Sequence, residues 1–209
     1  MKYLTFKQKI KTLPVFSTGL LSSLDEDINL LKVQLSSWKK KGLIVRLRKG
    51  LYVLREEERG IQLSLNYLAN QIFIPSYISL ESALAFYGLI PEFIAQITSI
   101  TTRKTCRFQN EFGLFSYQHL KPGCYTGFTL LKDENGFNVL ISEPEKAIVD
   151  FLYLNLSKFN VKDRSSFVGS YRFQNCNKLS KNKIKKFAAL FKVDKLKIIC
   201  NIFIEEMMK

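Results

Sequence analysis

The sequence predicts an α+β fold: a small N-terminal domain of helices and one hairpin, then an α+β domain with a small, mostly antiparallel sheet and a basic helical C-terminus. Three observations predict it. Helical spacing of apolar residues up to Trp38 gives way to the alternation Leu43-Ile44-Val45-Arg46-Leu47-Arg48. A second alternating stretch begins at Ile97 and ends in the hairpin signal Asp133-Glu134-Asn135-Gly136. Helical spacing then returns after Ser180, dense in lysine.

The elements follow in order. Residues 2–12 read as a short basic helix that stops ahead of Pro14, because the residue before a proline avoids helical angles. Phe16-Ser17-Thr18 offers a hydroxyl cap for a second short helix reaching about Leu24. Asp25-Glu26-Asp27 places negative charge at the start of a third helix, where the helix dipole favours it. In that helix Ile28, Leu31, Leu35 and Trp38 form one apolar stripe. Asn29, Val33, Ser36, Ser37 and Lys40 lie opposite, with Lys32 on the flank, and Gly42 supplies the stop. The hairpin turns at Lys49-Gly50 and returns as Leu51-Tyr52-Val53-Leu54. Arg55-Glu56-Glu57-Glu58-Arg59-Gly60 reads as a charged linker, so the domains are expected at residues 1–57 and 60–209.

Beyond the linker, Ile61 to Phe73 reads as an apolar-rich helix ended by Pro75, and Ser79 caps another that runs to Gly88. Strands are expected at Ile97–Thr102, Phe112–Tyr117, Gly127–Leu131 and Phe137–Ile141. Ser142-Glu143-Pro144-Glu145 has the pattern of a capping box opening a helix through Leu152. After a polar break near Lys158–Ser166 come Tyr171-Arg172-Phe173 and two basic helices, Ser180–Phe191 and Asp194–Met207, a helical tail from about residue 160.

Composition bounds what such a chain can be. Apolar residues make up 46%, with 17 Phe and 9 Tyr, which is ample for a packed core. No apolar run approaches the ~18 residues a membrane span needs, and the lysine-dotted N-terminus is no signal peptide. Cys106, Cys124, Cys176 and Cys200 show no paired metal-ligand spacing, so they are expected to be reduced, mostly buried thiols of a cytoplasmic protein without a metal or cofactor. His119 ends an alternating stretch and reads as a strand or turn residue; a lone histidine leaves few histidine-dependent mechanisms.

The net charge of +14 is unevenly spread. Residues 1–60 hold 13 Lys and Arg against 6 Asp and Glu, +7; residues 61–155 hold 6 against 8, −2; residues 156–209 hold 13 against 4, +9. Two basic ends around a near-neutral middle point to nucleic acid or an acidic partner.

Three helices followed by a hairpin, within the first 57 residues, is the order of a winged helix-turn-helix. In that fold the third helix enters the major groove of duplex DNA and the hairpin lies along its backbone. Arg46, Arg48, Lys49 and Lys40 are then expected on phosphates, and Asn29, Ser36 and Ser37 at base edges, with Lys32 and Val33 on the same surface. Lys181, Lys183, Lys185, Lys186 and Lys192 form a second basic surface on the helix whose apolar stripe is Ile184, Phe187, Ala188 and Phe191. The competing reading is an interaction module that grips an acidic protein without DNA.

The stretches "QLSSWKKKGLIVRLRKGLYVL", "YISLESALAFYGLIPE", "ITSITTRKTCRFQNEFGLFSYQHL" and "EPEKAIVDFLYL" give the chain a further character. In that order it resembles the AbiEi-type antitoxins, transcriptional regulators of phage-defence loci. After Lys158 the resemblance is confined to "SYRFQN" and two helices. It implies a sequence-specific DNA-binding repressor that acts on repeats in its own promoter. It further implies an antitoxin of a type IV toxin–antitoxin system, opposing a nucleotidyltransferase-like toxin without a tight protein complex, in an abortive-infection locus.

Enzyme signatures are weak beside this. A nuclease would draw its acidic metal ligands from Glu81, Asp133 and Glu143-Pro144-Glu145-Lys146, but the spacing lacks an acid-x-Lys pattern and helix capping explains the last group. Gly169-Ser170 is followed by Tyr171-Arg172 rather than an aspartate pair, and neither a GxxxxGK[ST] nor a GxSxG motif occurs. No enzymatic activity is expected.

Overall fold

The N-terminal part is built as helix, strand, two helices and hairpin: α1 (Tyr3–Ile10), β1 (Phe16–Ser17), α2 (Thr18–Leu21), α3 (Ile28–Lys40), β2 (Ile44–Arg48) and β3 (Leu51–Leu54). The computed structural model describes residues 2–21, 27–92, 94–161 and 172–208. Ser17 Oγ accepts from the Leu20 amide at 3.1 Å, the hydroxyl cap expected for α2. The extension of α2 to Leu24, and Asp25 and Glu26, lie outside the described residues.

β1 is an unanticipated strand. It pairs with β3, so the sheet is antiparallel in the order β1-β3-β2. Phe6, Ile10, Phe16, Leu21, Leu31, Leu35, Trp38, Ile44 and Leu54 form one small core between this sheet and the helices. Trp38 and Phe6 meet with ring centroids 4.5 Å apart. Gly50 sits at φ +78° in the hairpin turn, a conformation that favours glycine, and a Cβ there would also crowd Thr18 Oγ1 at 3.1 Å.

The rest of the chain contributes α4 (Glu56–Arg59), α5 (Leu65–Ile72), β4 (Ser76–Ile78), α6 (Leu80–Phe86), β5 (Gln96–Thr101), β6 (Cys106–Asn110), β7 (Gly113–His119), β8 (Phe128–Lys132), β9 (Asn138–Ser142), α7 (Pro144–Leu154), α8 (Lys181–Leu190) and α9 (Asp194–Met207). The sheet is larger than expected and mixed: its order is β6-β7-β5-β4-β9-β8, with β5–β7 and β4–β9 parallel and the other pairs antiparallel. After β5 the chain turns back one strand-width away as β6, and β7 fills the slot between them. Two strands of this sheet are not marked in the sequence. β4 is three residues long and buried on both faces, so no alternation marks it, while β6 carries exposed Arg107 and Gln109.

Two expected helix caps are spent elsewhere. Ser79 precedes α6, but its Oγ donates to Asp150 Oδ2 at 2.9 Å. Ser142 closes β9 instead of capping α7, and Glu145 is buried, accepting from the Ser180 amide at 2.9 Å. The first helix past Gly60 is shorter than its apolar run, because Ser64 caps it by accepting from the Tyr67 amide at 3.1 Å.

A polar cluster joins β4, α6 and α7 inside the large core. Lys146 and Asp150 are both fully buried and ion-paired one helical turn apart. Lys146 Nζ also donates to Tyr77 Oη at 3.0 Å, and Tyr77 Oη donates to Asp150 Oδ2 at 2.9 Å. Burial pushes the Asp150 carboxyl above the usual carboxylate range, against the opposing pull of the Lys146 ammonium and its three hydrogen-bond donors.

The two parts share packing. Val45, Leu47, Leu51 and Val53 project from the far face of the three-stranded sheet into the large core. Asn110 Nδ2 donates to the Leu47 carbonyl at 3.1 Å, and Arg55 pairs with Glu111 at 2.7 Å. The charged stretch expected to be a linker is instead the short helix α4, closed by Gly60 at φ +66°. Glu58 ties it to α1 by accepting from Tyr3 Oη at 3.1 Å and Lys7 Nζ at 2.7 Å. No helix among the described residues is long and apolar enough to cross a membrane.

Candidate nucleic-acid interface

α3 starts where Asp27 Oδ1 accepts from the Asn29 amide at 2.7 Å, so the acidic cap expected from the sequence is made by its third member. Leu31, Leu35 and Trp38 face the small core. Asn29, Lys32, Val33, Ser36 and Lys40 are exposed, and Ser37 is half-buried. The helix contains no Asp or Glu, and Lys39 and Lys40 lie in its last turn. Six of the expected residues therefore share one outward surface. Leu30 belongs to it too, and Lys39 is exposed on the flank nearer the core stripe; a leucine next to Leu31 reads from the sequence as part of that stripe.

The hairpin supplies part of what was expected. Arg46 is exposed and pairs across the strands with Tyr52, on the same face as Ile44 and hence on the side of the helices. Lys49 is exposed at the turn. Arg48 is a correction. The strand register shifts between Arg46 and Arg48, so that Arg48 pairs with Leu51, whose side chain enters the large core. A bulge of this kind re-aims the side chain that follows it. Arg48 is half-buried, its Nε donating to the Ile72 carbonyl and its Nη1 to the Lys49 carbonyl at 3.1 Å. Arg48→Ala is accordingly expected to lower stability by about 1 kcal/mol, through the lost bond to Ile72, and to leave duplex affinity unchanged. Urea denaturation beside a duplex titration checks both, and an unshifted midpoint with weakened binding would restore Arg48 to the phosphate contacts.

The second basic surface is on α8, capped by Ser180 Oγ accepting from the Lys183 amide at 3.3 Å. Ile184, Phe187 and Ala188 are buried beneath it, while Lys181, Lys183, Lys185 and Lys186, with Lys192 just beyond, are exposed. Lys183 pairs with Glu143 at 2.6 Å, so part of its charge is already countered.

The carboxylates weighed for metal chemistry are dispersed into structural roles. Asp133 accepts from the Asn135 and Phe137 amides at 3.0 and 2.8 Å and so shapes the β8–β9 turn. Glu143 and Glu145 hold Lys183 and the Ser180 amide, and Lys146 is buried against Asp150. Glu81 lines a cleft of about 180 Å³ with Arg107, Gln96 and Gln118, as the single acid there. His119 ends β7 with its Nδ1 3.0 Å from the Arg103 carbonyl. The four cysteines are free thiols; burial pushes Cys176 up to about 11 and Cys200 up to about 12, which holds both protonated and unreactive. Tyr171, Gly169 and Ser170 lie outside the described residues.

In comparison with known proteins, no family model matches the chain, and no curated protein matches it.

Proposed function

We propose that the chain is a sequence-specific DNA-binding transcriptional repressor whose first 57 residues form a winged helix-turn-helix. The carrying observation is the outward face of α3, which is polar or cationic at Asn29, Lys32, Ser36 and Lys40 and free of acids, together with the exposure of Arg46 and Lys49 on the hairpin that follows it. The element order α1-β1-α2-α3-β2-β3 and the sheet order β1-β3-β2 fit such a domain. Exposed cations at the helix end and on the hairpin suit phosphates, and Asn29 and Ser36 have the donor and acceptor atoms that base edges require.

Autoregulation and an antitoxin role against a nucleotidyltransferase-like toxin are supported by the ordered resemblance of four stretches to the AbiEi-type antitoxins, within which residues 60–209 would form the antitoxin domain. Rescue of growth when the chain is co-expressed with such a toxin from an adjacent gene tests that part.

The DNA reading is tested by titrating a labelled duplex from upstream of the coding sequence against a random duplex. Retardation of the upstream duplex is expected at low salt, and its absence there would favour an acidic protein as partner. Ser36→Ala should weaken binding to the upstream duplex by roughly fivefold or more, since a base-edge contact is worth about 1–3 kcal/mol, and leave the random duplex unaffected. Equal loss on both duplexes would remove Ser36 from base recognition.

A further inference from the structure

Val33 is out of place for a solvated helix. It is 66% exposed, and Leu30 beside it is 50% exposed. At about 100° per residue, Lys40, Asn29, Ser37, Ser36 and Leu30 all fall within about 60° of Val33 around the helix axis, whereas Leu31, Leu35 and Trp38 lie about 140–160° away. Val33 is thus the point of α3 farthest from the protein core, at the centre of the polar face. A β-branched residue is also a weaker helix former than the lysine or glutamine an exposed site could carry. Its two methyl groups offer no hydrogen bond, so what it meets must be apolar and set among polar groups.

The major groove holds one such feature, the 5-methyl group of thymine among donors and acceptors. A second copy of the chain fits less well: α3 carries no acid, and Lys32, Lys39 and Lys40 with Arg46 and Lys49 would face like charge. A polyanion is the complementary occupant.

We propose that Val33, flanked by Leu30, packs against thymine 5-methyl groups, so that the site selected by α3 carries thymine beneath Val33. This rests on the DNA-binding reading and adds the base it selects. The test uses the full chain and two versions of the upstream duplex, one normal and one with deoxyuridine for every thymidine, which removes the methyl groups and keeps the base-pair hydrogen bonds. Wild-type affinity is expected to fall by about fourfold for each thymine methyl group that packs against Val33 or Leu30. Val33→Ala should bind the normal duplex more weakly than the wild type does and should distinguish the two duplexes less, the remaining difference being the share of Leu30. Equal wild-type affinity for both duplexes overturns the proposal, as does a ratio that Val33→Ala leaves unchanged. Binding to neither duplex by a folded chain overturns the DNA reading itself. A wild-type dimer in sedimentation that Val33→Ala converts to monomer assigns the face to a second copy instead.

Discussion

Asp150→Ala is expected to destabilise the chain by about 3–5 kcal/mol, a large fraction of the roughly 5–15 kcal/mol that holds a typical domain folded. Asp150 is fully buried and accepts from Lys146, Tyr77 and Ser79 at once. Removing it leaves a buried ammonium with no counter-charge and two hydroxyls without their acceptor. A lone charge in such surroundings costs more than the pair itself contributes, because desolvation is no longer offset. The aromatic rings nearest Lys146 Nζ, Tyr77 at 5.6 Å and Phe191 at 5.2 Å to the centroid, offset little of that loss. Asp150→Asn keeps an acceptor for the hydroxyls and should lose less. Lys146→Met with Asp150→Asn should lose less again, since no buried charge remains. Urea midpoints read this order directly, and an Asp150→Ala protein with a wild-type midpoint would show that the cluster contributes no stability.

The largest functional effect is expected from neutralising four exposed cations together: Lys32→Gln, Lys40→Gln, Arg46→Gln and Lys49→Gln. If each holds one phosphate, duplex affinity should fall by about a thousandfold at roughly 0.15 M salt, and the slope of log affinity against log salt should shrink by about 3.6, at about 0.9 per phosphate. All four side chains are exposed, so the urea midpoint should stay near that of the wild type. A four-site variant with an unchanged salt slope would mean that this face does not meet the duplex backbone. The same titration on a Lys181→Gln, Lys185→Gln, Lys186→Gln and Lys192→Gln variant decides the second surface: a reduced slope brings α8 onto DNA, and an unchanged one removes it.

Much of the fold was legible because its signals are local. The stripe of Leu31, Leu35 and Trp38, the Lys49-Gly50 and Asn135-Gly136 turns, and the stripe of Ile184, Phe187 and Ala188 each recur at the period of the element that carries them. What stayed hidden depended on partners distant in sequence. β1 is only two residues long and exists because Leu51 and Tyr52 present an open edge to it. β4 is buried on both sides by elements that come before and after it. Ser79, Ser142 and Glu145 had the residue types of caps, but Asp150 and the Ser180 amide, 71 and 35 positions from Ser79 and Glu145 respectively, claim two of them.

The candidate interface divides in the same way. Which residues of α3 face outward was determined by the sequence, since a core stripe at helical spacing leaves the opposite face to solvent whatever else the chain does. The uneven charge and the hairpin turn were determined there too. Only the tertiary structure decided that Arg48 turns inward, because a one-residue bulge reverses the side to which a strand residue points and the Ile72 carbonyl waits on that side. It also decided that α4 is a packed helix and that Lys146 and Asp150 lie without solvent, since burial depends on every element packed around a side chain and not on its sequence neighbours.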